Sequence, residues 1–141
     1  MASPVLMIVN TAARRYAVRR DDLVDVRMAH TGAALRVEGQ ADRQYVGVEL
    51  GPLLDPADQS SMTRRRALIV PLRRRYIALL VDHIETFLEH ADTRPLPPLI
   101  SQRLGQPWAV GALMFEDQLV VQLDLRAVAR SALLAHSGRS S

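Results

Sequence analysis

At 141 residues, 48% apolar and 23% charged, the chain has the length and composition of one domain with a packed interior. It contains no cysteine, which excludes disulfides, thiolate metal sites and cysteine nucleophiles. All 18 basic residues are arginine, so lysine-dependent phosphate loops and Schiff-base enzymes are excluded as well, and the net charge of +3 argues only weakly for an anionic partner.

The chain opens on a short apolar run, residues 5–9, with no basic leader, which reads as a strand and not a signal peptide. No apolar stretch approaches the roughly 20 residues of a transmembrane helix, so no membrane insertion and a cytoplasmic location are expected. Residues 10–15 read as a turn and Tyr16-Ala17-Val18 as the returning strand of a hairpin. After Asp21-Asp22, the residues Val24, Val26 and Met28 alternate with polar ones, and residues 45–50 read as another strand that Pro52-Leu53-Leu54 ends. The proline, aspartates and serines of residues 55–63 read as a linker.

The second half holds two strand-like runs, residues 68–72 and 76–81, across an arginine turn. Residues 76–91 also fit a helical stripe through Ile77, Leu80, Val81, Ile84 and Leu88. Against it, residues 76–81 are apolar on every side, as expected of a strand buried on both faces, and periodicity alone leaves both readings open. Pro95, Pro97 and Pro98, and then Gly105-Gln106-Pro107, interrupt regular structure. Residues 112–123 read as a hairpin turning at Glu116-Asp117. From Asp124, a plausible N-cap, Leu125, Val128, Ala129, Ala132 and Leu133 form the stripe of a surface helix over about 124–135, and 136–141 reads as a flexible tail.

No constellation of residues carries chemistry. His83, Glu85, Glu89 and His90 lack metal-ligand spacing on either a helix or a strand, and His30 and His136 stand alone. There is no Gly-x-Ser-x-Gly elbow, and Gly47 and Gly51 do not form a phosphate cradle. Carboxylate pairs fall at turns. The expectation is a chain that is not an enzyme and carries no cofactor or metal. The triplets Arg64-Arg65-Arg66 and Arg73-Arg74-Arg75 suggest phosphate contacts, but a strand of about 20 Å separates them and aromatics for base stacking make up only 4% of residues. They read first as solvated turn and linker charge. What remains is hydrophobic surface: Val24, Val26, Val81 and Ile84 could line a groove between two small barrels, or be plain core.

The segment Arg15-Tyr16-Ala17-Val18-Arg19-Arg20-Asp21-Asp22-Leu23-Val24-Asp25-Val26 resembles the opening pattern of the CheW-like domain, the adaptor module of bacterial chemosensory arrays. Leu79-Leu80-Val81-Asp82-His83-Ile84 is similar to the family's valine-aspartate signature, and Pro95-Leu96-Pro97-Pro98 to its proline-rich crossing. Ala109-Val110-Gly111 resembles its entry to the last hairpin, and Val121-Gln122-Leu123-Asp124-Leu125 its closing run before the terminal helix. The chain departs from the family at residues 33–44, where Arg36-Val37-Glu38-Gly39 stands in place of an asparagine-leucine-arginine-glycine turn, and at Ile77-Ala78, where a glycine is usual.

The resemblance, to a divergent member, implies a mainly β fold over residues 1–135. It would comprise two intertwined five-stranded SH3-like barrels, about 15–63 and 64–124, and a C-terminal helix. It implies an adaptor that couples the cytoplasmic tips of chemoreceptors to the regulatory domain of a CheA-type histidine kinase through protein contacts. Carried over by position, Val24, Asp25 and Val26 match receptor-facing residues, and Val81 and Ile84 match the groove. Two other readings stay open: a small basic β-barrel protein that binds nucleic acid, and a CheW-like domain serving another signalling route such as pilus control.

Overall fold

The computed structural model describes residues 5–31, 36–38, 45–89, 93–95 and 108–139, with side chains through Leu134. The chain is mainly β. Strands β1 (Leu6–Asn10) and β2 (Arg15–Arg19) form the expected hairpin, followed by a 3-10 turn (Arg20–Asp22). β3 (Asp25–His30), β4 (Arg36–Val37) and β5 (Tyr45–Glu49) precede a short helix, α1 (Leu50–Leu54). Then come β6 (Arg64–Pro71), β7 (Tyr76–Val81), β8 (His83–Leu88), β9 (Arg94–Pro95), β10 (Ala109–Phe115) and β11 (Gln118–Leu123). The C-terminal helix is α2 (Leu125–Arg139).

The strands form two sheets, β8-β1-β2-β11-β10-β9 and β4-β3-β6-β7-β5. The first joins residues from both ends of the chain, with β2 and β11 paired in parallel. β5 lies parallel to β7, and Tyr45 meets Tyr76 edge to face at 6.1 Å across that pair. β6 and β7 pair with β3 and β5, so the second sheet draws its strands from both sides of residue 63.

Alternation of side chains gives each sheet two buried faces. Met7, Val9, Val18, Leu68, Val70, Ile77, Leu79 and Val81 meet in a core shared by the two sheets, which Leu125, Val128 and Ala129 of α2 close. Leu6, Ile8 and Ala17 instead face Leu113 and Val120, while Ala67, Ile69, Ala78 and Leu80 pack with Ala29 and Val37. β7 therefore supplies alternate residues to two cores, which is why residues 76–81 are apolar throughout and form a strand. The helical alternative fails at residues 83–88 too, which form β8.

Local chemistry accounts for the ends of the elements. Asp124 Oδ1 accepts the backbone N–H groups of Arg126 at 3.1 Å and Ala127 at 3.2 Å, capping α2 as its sequence suggested. The β10–β11 turn is a two-residue loop, with Glu116 at φ 50° and Asp117 at φ 62°, the geometry of a type I′ hairpin. Pro52 does not simply end β5. It lies in the first turn of α1, where its missing N–H costs nothing. Pro95 pairs at an edge of its sheet, a position proline tolerates, while Pro97, Pro98 and Gly105-Gln106-Pro107 lie outside the described residues.

Residues 55–63 are not a free linker. Asp58 is 1% exposed, accepts the Thr11 hydroxyl, and accepts the Ala13 N–H at 2.8 Å. Asp55 pairs with Arg14 at 3.2 Å. The segment thus clamps the β1–β2 turn.

Candidate protein-binding site

Where the two sheets meet, the segment entering β3 approaches β8 across the end of β1. Val24 donates its N–H to the Ile69 carbonyl at 3.0 Å, which anchors the backbone to β6 and leaves the side chain 55% exposed. Asp25 Oδ1 accepts the Val26 N–H at 2.8 Å, and Oδ2 pairs with Arg27 Nε at 2.9 Å. The Asp25 carboxylate is thereby fixed at the rim.

The opposite wall depends on an irregularity. β1 pairs Met7 with Phe87 and Ile8 with Thr86, but Val9 with Ile84, so the register slips by one residue at Glu85. Such a bulge flips the alternation beyond it. Ile84 and Phe87, three residues apart, consequently sit on the same side of the sheet as Val9 and Met7. Strict alternation would have put them on opposite faces, so the sequence reading missed Phe87, which is 54% exposed. Glu85, at the bulge, accepts Arg15 Nε and Asn10 Nδ2, each at 3.1 Å.

These residues enclose a cleft of about 480 Å³ whose walls include Leu23, Val24, Val26, Ile84 and Phe87, with Arg20, Asp25 and Arg66 also lining it. Four of the five residues expected at a partner site, Val24, Asp25, Val26 and Ile84, are brought together here. Val81 is not. It is fully buried in the shared core, where Ile84 and Val26 pack against that cluster, and it supports the wall without presenting a surface.

Beside Val81, Asp82 has a structural task. Its backbone N–H donates to the Asn10 carbonyl at 2.9 Å, and its carboxylate lies 3.0 Å from Arg65 Nε. Arg65 is 2% exposed and also pairs with Glu49. The triplet of residues 64–66 is therefore not uniformly solvated: its middle member points into the protein and the outer two point out, as a strand requires.

Asp22 holds the 3-10 turn against α2. Burial raises its carboxyl above the usual value, the charge on Asp124 adds to this, and Arg19, Arg126 and a backbone hydrogen bond from Leu125 work the other way. Burial likewise raises the Tyr16 hydroxyl.

Among the described residues, no group of three or more histidine, aspartate or glutamate side chains is placed to hold a metal, and no helix is long and apolar enough to cross a membrane. His83 is exposed, His30 faces Glu38 at 3.4 Å, and His90 lies outside the described residues. The arrangement can bind an apolar side chain between two walls and read charge at the rim.

Two β-sheets sharing a core, closed by a C-terminal helix and notched where they meet, define a CheW-type fold. The solved structure of the scaffolding protein TtCheW from Thermoanaerobacter tengcongensis matches this chain with a TM-score of 0.62, covering 91% of it and 88% of that chain, at 12% sequence identity. At that identity the likeness establishes the fold. No family model and no curated protein matches the sequence.

Proposed function

We propose that this chain is a cytoplasmic adaptor of the chemosensory type, which couples a chemoreceptor tip to the regulatory domain of a CheA-type histidine kinase through protein contacts and catalyses no reaction. The observation that carries the reading is the cleft at the junction of the sheets. On a CheW-type fold, it exposes Val24 and Phe87 as apolar anchors with Asp25 fixed beside them. Exposed large apolar side chains converging in a concave, charge-rimmed site are the pattern of a protein-binding hot spot. Both walls are tied into sheets that share one core, so a partner seated in the cleft is held rigidly relative to the rest of the molecule. Receptor state would then alter kinase geometry through the adaptor.

The test is co-purification of the tagged chain from its own cells at moderate salt, with the bound proteins identified. Recovery of a CheA-type kinase or a chemoreceptor is expected. Recovery of an unrelated regulator alone would mean that the fold serves a different signalling route.

A further inference from the structure

The arginine turn between β6 and β7 has a neighbour that its sequence position does not reveal. Arg73, Arg74 and Arg75 are exposed and share a cleft of about 700 Å³ with Arg126 and Arg130 of α2. The two helix residues are four apart and so lie on one face. Pro71, Leu72 and Leu133 also line it, and no carboxylate does so among the described residues.

Arg14, Arg15, Arg27 and Arg65 each pair with a carboxylate within 4 Å, whereas none of the five cleft arginines has such a partner among the described residues. Arg126 also acts electrostatically on Asp22, near the start of α2. Five unpaired guanidinium groups converging around an apolar floor repel one another in the free protein. They gain most from a partner that brings carboxylates and one apolar side chain together.

We propose that this cleft docks an acidic segment of a partner protein, a short stretch of aspartate and glutamate residues around a leucine-like anchor. The lining favours this occupant. Among the described residues it has no aromatic ring on which a nucleic-acid base could stack, and its apolar floor gives a bare phosphate nothing to cover. The cleft also lies apart from the one at Val24. The two share no lining residue, and along β6 Arg66 and Pro71 are about 17 Å apart at strand spacing. A partner here would bind at the same time as one in the Val24 cleft, and the inference stands whether or not that cleft binds a receptor or kinase.

The experiment is fluorescence anisotropy of the full chain with a labelled acidic peptide carrying one central leucine. Its controls are the same peptide with glutamine and asparagine replacing the acids, and a single-stranded oligonucleotide of equal charge. Binding of the acidic peptide alone is expected, weakening steeply between about 50 mM and 500 mM salt as screening grows. R126E/R130E should weaken it by about tenfold or more, and R73Q/R74Q/R75Q, confined to the turn, should act in the same direction. R64Q, an arginine outside the cleft, should leave it unchanged. No binding of the acidic peptide overturns the proposal. So does equal loss in R64Q, which would show unspecific charge attraction, or tighter binding of the oligonucleotide, which would make the cleft a nucleic-acid site.

Discussion

Arg65 and Asp82 lie 3.0 Å apart, 2% and 8% exposed, and join β6 to the turn between β7 and β8. Neither Arg65 Nε nor the facing Asp82 Oδ1 makes a well-aligned hydrogen bond, so the pair relies on charge in a water-poor site. Taking such a charge out of water costs several kcal/mol, which its partner's charge must offset.

Removing both members should therefore cost less than the two single removals added together. Asp82→Leu strands the buried guanidinium with only the half-exposed Glu49, and Arg65→Met strands the buried carboxylate. Each single change is expected to destabilise the fold by about 3–5 kcal/mol. The R65M/D82L double variant should recover about 1–3 kcal/mol relative to the sum of the two. Urea unfolding of the four proteins measures this, and simple additivity would show that the pair does not interact.

The valine-aspartate signature at Val81-Asp82 was legible as sequence, but its physical partner was not. Three consecutive arginines give no clue to which one turns inward until the strand phase is known, and Glu49, on β5, and Asp82, in the β7–β8 turn, lie 16 and 17 residues from Arg65. The hairpins and the capped helix could be read because their determinants are local: apolar alternation, a turn, an N-cap. β7 is ambiguous with a helix on pattern alone, since a strand with two buried faces has no polar side to mark its period, and the family resemblance decides for the strand. Phe87 could not be read, because a bulge that shifts the phase at Glu85 leaves no mark in a pattern of alternating residues. Four of the expected site residues meet in the cleft, whereas Val81, apolar in the same way, belongs to the core.

Asp58 shows the same kind of gap, since its partners are 47 and 45 residues away in the β1–β2 turn. Asp58→Ala would remove the acceptor of the part-buried Ala13 N–H and leave the Thr11 hydroxyl to its second acceptor, the Arg14 carbonyl at 3.2 Å. An unsatisfied donor costs about 1–3 kcal/mol when buried, so a loss of about 1–2 kcal/mol is expected. A neighbouring test uses backbone space: a Cβ at Gly51 would sit 2.6 Å from the Asp58 carbonyl oxygen, so Gly51→Ala must push the segment away and should lower the melting temperature as well. A melting temperature unchanged in both variants would return residues 55–63 to the status of a linker.

Asp22 sets a pH dependence whose sign is fixed by burial. Its folded pKa lies above the group's ordinary value of 3.8, so the folded state binds its proton more tightly than the unfolded state does. Stability from this group is then greatest in acid and falls as pH rises from the unfolded pKa through the folded one. Asp22→Asn keeps an oxygen to accept the Leu125 N–H but removes the titration. The difference in stability between variant and parent should shift in favour of the variant as pH rises through that window, and then level off. Thermal melts from acid to neutral pH check this, and a constant difference would exclude Asp22 as the titrating group.

Val24 and Val81 separate surface from support in the partner site. Val24 is 55% exposed, so Val24→Glu should change stability by no more than about 0.5 kcal/mol, while placing an unpaired charge in the seat of an apolar anchor. Val81 is fully buried, so Val81→Ala should cost about 1–3 kcal/mol through lost packing yet leave the cleft wall in place. Asp25→Arg gives up an exposed ion pair worth at most about 1 kcal/mol and reverses the rim charge. Binding of the captured partner, measured well below each variant's melting temperature, is expected to fall by about tenfold or more for Val24→Glu and Asp25→Arg, and by little for Val81→Ala. The opposite ranking, with Val81→Ala impairing binding and Val24→Glu not, would move the interface away from this cleft, because a stability defect alone cannot spare the variant that carries the new charge.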